Sequence, residues 1–514
     1  MRSTHTFLFI HPPISKPCEP PAGLAKLGHA LSANGINYHL YDANLAGLLR
    51  LLGQPVSATD TWTRRAVKHV APNLNLIRQQ STYTNRDKYK RTVMDVNRVL
   101  ERLGRQYNAV VSLSNYGADN YSPVRSDDLL RAAENYSENP FLPVFRDDIR
   151  SYFRTDEPDI IGISVNYFSQ AVCAFAIAGW IKTEFPEKSI VMGGGLVTSW
   201  MKIPGFKNPF VGVVDELVAG PGEPFLLSLA GVECLPAATD IGYDYKRFDL
   251  DQYLSPVPVL PFSTATGCWW RKCAFCPEKF ERQTYAPKNK TAVIESIHSL
   301  RDRHHPGLLH FLDNALSPGL LRRLIRTPPG VPWYGFVRIT DHLADPVFAA
   351  DLRKSGCVML KLGVESGDQA VLDALHKGID LDLVARALKT LKSAGISTYV
   401  YLLFGTPPES ETGARKTLAF TRAHAANIDF LNPAIFNLPA FSREAENLDT
   451  IAFYDGDLSL YTDYIHPKGW SRSRARQFLD KTFKKDARVR AILANDPPYF
   501  TSNHAPFFNT GLFS

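Results

Sequence analysis

The sequence predicts an α/β fold made of two successive parallel arrays, and three observations carry that prediction. Short, continuous apolar runs alternate with helical patterns along most of the chain, as they do where a parallel sheet is covered on both faces. The alternation lapses over residues 53–150 and resumes near 159, so the first array carries a long insertion. From Val257 a second series of six strand-helix steps begins, too many for an open nucleotide-type sheet and too few for an eight-stranded barrel. The 514 residues exceed what one core accommodates, so two or three domains are expected.

In chain order, "TFLFI" (6–10) is an apolar strand, followed by a Pro-rich loop. The helical "GLAKLGHALSANG" stops at Asn-Gly and leads to the strand "YHLYD", which completes a β-α-β unit. Within the insertion, "YKRTVMDVNRVLERL" places Tyr89, Val93, Val96, Leu100 and Leu103 on one helical stripe. The pattern then resumes with "DIIGISV" (159–165), the helix "QAVCAFAIAGWIKTEFP", the strand "SIVMGGG" (189–195) and "VGVVDELVAGPGEPFLLSL" (211–229). Such sheets bind ligands at the carboxyl ends of their strands. Those ends carry Pro12 and Pro13, Asp42 to Gly47, Ser164 to Asn166, Gly193 to Gly195, and Gly220 to Glu223.

The second series contains "VPVLPFST" (257–264), "LLHFLD" (308–313), "WYGFVRI" (333–339), "VMLKLGVE" (358–365), "STYVYLLFG" (397–405) and "FLNPAIFN" (430–437). Helical patterns separate several of them, clearest in "DLDLVARALKTLKSAG" (380–395), where Gly395 is the stop. An incomplete barrel of six parallel strands fits this series. Residues 441–514 lose the alternation and contain the basic, helix-like 472–493; they read as an α-rich C-terminal extension that caps the barrel mouth.

At 45% hydrophobic and 21% charged, the chain has the composition of an ordinary soluble globular protein. No stretch approaches the ~18–20 uninterrupted apolar residues that span a bilayer, and "MRSTHTFLFI" is too short an apolar run for a signal peptide. The cytoplasm is the expected address, with no membrane partner. The net charge of +7 is concentrated between Thr61 and Tyr107, where eleven Lys and Arg face three Asp and Glu. Charge that local speaks against nucleic acid as a partner; a solvated helix face and a patch for an acidic partner or a phosphate-bearing ligand both fit it.

Of seven cysteines, Cys18, Cys173, Cys234 and Cys357 are scattered singly and read as small buried hydrophobes. The other three lie in "TATGCWWRKCAFCPEKF" (264–280), spaced C-x4-C-x2-C directly after the first barrel strand. A structural zinc site needs a fourth ligand, and His298, His304, His305 and His310 downstream do not form a second knuckle. Three thiolates in one loop suit a [4Fe-4S] cluster whose fourth iron stays open to an exogenous ligand.

On these residues the chain resembles the radical S-adenosylmethionine (SAM) superfamily, and its cobalamin-binding branch in particular. The family's usual spacing is C-x3-C-x2-C with an aromatic residue before the last cysteine. Gly267, Phe275 and the "CAFC" ending match it, and one extra residue between Cys268 and Cys273 departs from it. Further along, "FLDNAL", "LGVESG" and "FGTPPE" follow the second, fourth and fifth strands, as in this family. In the first array the resemblance rests on "HPP", "GLAKLGHAL", "YDANLAG", "GISVNYFSQ", "VMGGG" and "GPGEP".

The resemblance implies a Rossmann-like cobalamin-binding domain over 1–235, with 53–150 inserted, a radical SAM partial barrel over 236–440, and an extension over 441–514. It implies a cluster on Cys268, Cys273 and Cys276, and SAM contacts from Phe275, Asp313, Asn314, Arg338, Glu365 and Ser366. For cobalamin it implies Pro13, Asn44, Ser164, Asn166, Gly193, Gly194, Gly195 and Glu223. Asn44 stands where D-x-H-x-x-G supplies a lower histidine, so cobalt would lack one. Tyr399 and Tyr401, on the fifth strand, are candidates to meet the substrate.

The implied activity is reductive cleavage of SAM to a 5′-deoxyadenosyl radical, with methylation of an unactivated carbon in a small molecule or peptide. An external donor such as flavodoxin or ferredoxin would supply electrons. Radical rearrangement, ring contraction or cyclisation without methyl transfer is the alternative, and a non-catalytic cobalamin- or metal-binding regulator is the alternative of another class. Methylthiolation would want a second cysteine trio, which the scattered cysteines do not offer.

Overall fold

The computed structural model describes residues 5–58, 60–232, 241–281, 283–509 and 512. It falls into two compact units, Met1–Pro258 with Asp455–Leu460 and Pro498–Phe500, and Val259–Tyr454 with Tyr461–Pro497 and Thr501–Ser514. The expected 235/236 division and Cys234 lie outside the described residues. Residues 241–258 group with the first unit, and most of 441–514 with the second.

The first unit contains β1 (Phe7–Ile10), β2 (Tyr38–Tyr41), β3 (Ala109–Val111), β4 (Tyr116–Ala118), β5 (Ile160–Ser164), β6 (Ser189–Gly193) and β7 (Glu216–Leu217). Five of them form a parallel sheet in the order β2-β1-β5-β6-β7, so the winding reverses between β1 and β5. Phe7, Leu8, Phe9 and Ile10 are all buried, which is why this strand reads as a continuous apolar run. Helix Phe168–Glu184 is buried at every residue from Gln170 to Ile181. It packs closely enough on helix Ser126–Glu134 that a Cβ on Gly179 would lie 2.0 Å from the Ala133 carbonyl oxygen.

The insertion is mainly helical, as expected, and Tyr89, Val93, Val96, Leu100 and Leu103 form the buried stripe of helix Arg86–Arg105. The sequence reading missed the hairpin of β3 and β4, because three-residue strands are too short to display a period of two. Part of the basic charge here is used internally. Arg65 pairs with Asp95 at 2.7 Å, and Arg98 with Asp60 at 3.1 Å while stacking 4.8 Å from the Trp62 ring centroid.

The second unit opens with β8 (Val259–Phe262), followed by β9 (Ala265–Thr266) and β10 (Ala286–Pro287), which pair antiparallel. Then come β11 (Leu308–Leu316), β12 (Trp333–Val337), β13 (Cys357–Glu365), β14 (Ser397–Phe404) and β15 (Phe430–Ile435). The parallel order β15-β14-β13-β12-β11-β8 is the expected six-stranded partial barrel. Registers His310↔Tyr334, Phe336↔Lys361 and Lys361↔Tyr399 put these residues on one face of the sheet.

Beyond the barrel, β16 (Leu438–Pro439), β17 (Thr450–Ile451) and β18 (Tyr461–Tyr464) make a small antiparallel sheet, so the extension is not purely helical. The expected helix over 472–493 is split into Arg472–Phe478, a π-helical turn Leu479–Phe483, and Ala487–Leu493. Asp486 starts the last piece by accepting from the backbone N–H groups of Arg488 and Val489. Among the described residues no helix is long and apolar enough to cross a membrane.

Candidate functional site

The cysteine loop leaves the barrel between β8 and the helix Lys290–His304, and the β9–β10 ladder closes its base. Cys268, Cys273 and Cys276 are free, half-buried thiols that line one cavity of about 450 Å³ together with Trp270, Arg271, Lys272, Glu278, Lys279 and Gln283. The Ala274 N–H donates to the Leu375 carbonyl at 3.0 Å, and the Trp270 indole N–H to the His376 carbonyl at 3.2 Å. The loop is thereby tied to the segment that follows β13 and helix Gln369–Ala374.

Burial pushes the Cys276 thiol up to about 11 and raises Cys273 as well, against the opposing pull of the Lys377 and Arg338 cations. Arg338, just past β12, is 9% exposed, and its charge acts on the Cys273 and Cys268 thiols. Burial pulls its guanidinium down, and its Nη2 is a buried donor without a partner. These features fit a cluster ligated by three thiolates: three sulfurs line one cavity, and cations beside them compensate the negative charge of iron-bound thiolate. Among the described residues no three His, Cys, Asp or Glu are grouped to hold a single metal ion. The thiolates of a [4Fe-4S] cluster hold three separate irons and have no need to meet at one point.

The other expected SAM residues divide. Phe275 lies 5.6 Å from Lys377 Nζ and packs on the cluster of Phe436, Leu438, Ala445 and Tyr464. Asn314 donates its amide to Glu278, which lines the cavity. Glu365 ends β13 in the left-handed region (φ 67°) and pairs with Lys377 at 2.8 Å, both side chains being nearly buried. Asp313 is 4% exposed, and its carboxylate accepts the Thr264 N–H at 3.0 Å and the Thr264 hydroxyl at 2.6 Å. It anchors the stretch that leads into the cysteine loop. Ser366 is fully buried, and its hydroxyl bonds to Thr417 of helix Glu411–Ala423 and accepts from the Asp368 N–H.

The candidates on β14 also find partners. Tyr399 is 1% exposed, and its ring stacks 5.7 Å from that of Phe430. Tyr401 is half-buried, its ring 4.8 Å from that of Phe336, and burial pushes its hydroxyl up to about 12. In the turn after β14, Glu409 accepts the Gly405 N–H at 2.5 Å and the Trp470 indole N–H at 2.9 Å. The His466 ring bonds to the Thr406 carbonyl, and the Tyr464 hydroxyl donates to that of Gly405. The extension therefore locks the carboxyl end of β14.

In the first unit the expected residues gather at the carboxyl ends of the strands and largely satisfy one another. Asn44 accepts the Ser15 N–H at 2.9 Å and is 2% exposed, so its side chain shapes the loop after β1 that carries Pro13. Asn166 links Ser164 to Gly195, donating to the first at 3.2 Å and accepting from the second at 3.0 Å. Gly194 has φ 106°, and a Cβ there would lie 2.5 Å from the Val165 carbonyl oxygen, so only glycine lets the chain turn so close to β5. Gly193 ends β6, and Glu223 pairs with Lys26.

The sequence reading missed Lys377, Glu278 and the stacking of Trp270 on Arg338. Glu278 could have been found by its closeness to Cys276. Lys377 carries no pattern, and the Trp270 contact joins positions far apart in the chain.

A parallel six-stranded barrel with three cysteines over its first strand defines a domain class, and residues 262–421 match the family model described as the radical SAM superfamily. Residues 262–421 are thus a radical SAM domain. The chain is 25% identical over 407 residues to an anaerobic magnesium-protoporphyrin IX monomethyl ester cyclase of Rubrivivax gelatinosus, covering 68% of this chain and 71% of that protein. It is 23% identical over 313 residues to an uncharacterized methyltransferase of Pyrococcus horikoshii, covering 54% and 66%. In fold it is similar to the cobalamin-dependent SAM radical enzyme OxsB, solved with aqua-cobalamin and SAM bound (TM-score 0.53, 13% identity, 81% of this chain). It is also similar to the radical SAM methyltransferase TsrM of Kitasatospora setae, solved with cobalamin and a [4Fe-4S] cluster (TM-score 0.54, 14% identity, 86% and 74% of the two chains). This chain covers about half of OxsB, at 52%.

Proposed function

We propose that the chain is a cobalamin-dependent radical SAM enzyme that methylates an unactivated carbon of a small metabolite or peptide. The observation that carries this reading is the convergence of Cys268, Cys273 and Cys276 on one cavity, lined also by Trp270, on which Arg338 stacks. When bound, the cluster supplies the electron that cleaves SAM to methionine and a 5′-deoxyadenosyl radical, and cobalamin supplies a methyl carrier.

The chain's own residues position and shield. The three thiols would hold iron as thiolates, a form that the Lys377 and Arg338 cations favour at Cys273. Arg338 Nη2, buried and unpaired, would gain from an anionic group placed beside it. Asp313 holds the stretch before the cysteine loop in place, and Glu365 and Lys377 neutralise each other beside it. On the first unit, Gly195 and Gly220 would let a flat ligand approach the backbone, and Asn44 is already engaged by the Ser15 N–H. A low-potential donor of the flavodoxin or ferredoxin kind would complete the electron path.

The cyclase relative favours a second reading, in which the same radical chemistry closes or rearranges a ring without methyl transfer. The two separate by products. Protein purified anaerobically with cobalamin, reconstituted with iron and sulfide, is incubated with reductant, SAM and a small-molecule pool. S-adenosylhomocysteine and 5′-deoxyadenosine formed together support methylation, and 5′-deoxyadenosine alone supports rearrangement. Protein that holds iron and cobalamin yet releases neither product contradicts both and points to a regulator.

A further inference from the structure

We propose that Trp270 is a positioning residue that holds Arg338 against the cluster ligand Cys273, and through it raises the reduction potential of the cluster. The inference rests on the reading of the three thiols as cluster ligands. Arg338 Cζ lies 3.7 Å from the Trp270 ring centroid, well within cation-π range. The indole is itself fixed on its remaining sides. Its N–H donates to the His376 carbonyl at 3.2 Å, and its edge rests on Gly378, where φ is 60° and a Cβ would lie 2.4 Å from Trp270 Cζ2. Trp269 meets it edge-on at 6.1 Å, and Lys272 Nζ lies 4.8 Å from its centroid.

An arginine on a loop beside a cavity ordinarily turns its guanidinium into water. Here the indole takes one face of the guanidinium, and the charge it holds in place acts on the Cys273 thiol. A cation held at a sulfur ligand stabilises the reduced cluster, which carries one more negative charge, more than the oxidised one; hydrogen bonds to sulfur act in the same direction. The effect is strong only if the cation cannot swing away, and the stack on Trp270 supplies that restraint.

The test is an electron-paramagnetic-resonance-monitored redox titration of the reconstituted full-length protein and its variants. Arg338→Gln and Trp270→Ala are each expected to shift the midpoint to more negative potential, and Trp270→Phe, which keeps an aromatic face, to stay near wild type. In the double variant, Trp270→Ala is expected to add nothing to Arg338→Gln. A full additional shift would overturn the claim that Trp270 acts through Arg338, and coincident midpoints in wild type and Arg338→Gln would overturn the tuning itself. If Trp270→Ala fails to retain iron, Trp270→Leu is titrated in its place with the same two outcomes. A wild-type protein that takes up no cluster would instead overturn the reading on which this inference stands.

Discussion

Charge placement at single side chains dominates the site. Glu365 and Lys377 form a nearly buried pair at 2.8 Å, and removing one member leaves the other's charge without compensation. Lys377→Met is therefore expected to lower stability by about 3–5 kcal/mol in denaturant unfolding; a loss below about 1 kcal/mol would show the pair to be well hydrated. Glu409 gives a second prediction. It is fully buried, and burial raises its carboxyl from 4.5 to about 7. The folded state then binds a proton more tightly than the unfolded state, so stability is highest below the unfolded value and falls as pH rises between 4.5 and about 7, levelling off above. Glu409→Gln should flatten that slope, which urea midpoints across the same pH range would reveal; an unchanged slope would assign it to other groups. At this scale the sequence was informative where spacing alone carries chemistry, as in the cysteine trio. It was silent on the contact of Trp270 with Arg338, because a contact across 68 positions with no periodicity leaves no local mark. It was equally silent on the hydrogen bond between Ser366 and Thr417, far apart in the chain.

Elements place these residues by fixing the carboxyl ends of strands. Asp313 near the end of β11, Arg338 after β12, Glu365 at the end of β13 and Glu409 after β14 all follow from the regular strand-helix alternation. The barrel strands were legible to within a few residues because each is a continuous apolar run bounded by loops. The β3–β4 hairpin was not legible, being too short to show alternation, and neither was the break in the C-terminal helix, which depends on the Asp486 cap. Packing between elements makes its own prediction in the first unit. At Gly179 the helix Phe168–Glu184 comes so near the Ala133 carbonyl that an added methyl has no room. Gly179→Ala should force this helix and helix Ser126–Glu134 apart and cost about 1–3 kcal/mol, against the small gain that alanine ordinarily brings to a helix interior. Thermal unfolding of the variant at or above the wild-type midpoint would contradict the close packing.

Over the whole molecule, two parallel sheets each gather their expected functional residues at the carboxyl ends of the strands, which is where such sheets bind ligands. That correspondence was legible from patterning, since buried strands and the helices covering them repeat along the chain. The substrate was not, because its recognition depends on side chains that share no repeat or spacing. The central claim is that Cys268, Cys273 and Cys276 hold a cluster that cleaves SAM. The most direct measurement is 5′-deoxyadenosine released from SAM under strong reductant by anaerobically reconstituted protein, beside a variant with all three cysteines replaced by alanine. The account predicts 5′-deoxyadenosine from the iron-loaded wild type and none from the variant. Equal release from both, or none from a fully iron-loaded wild type, would contradict it.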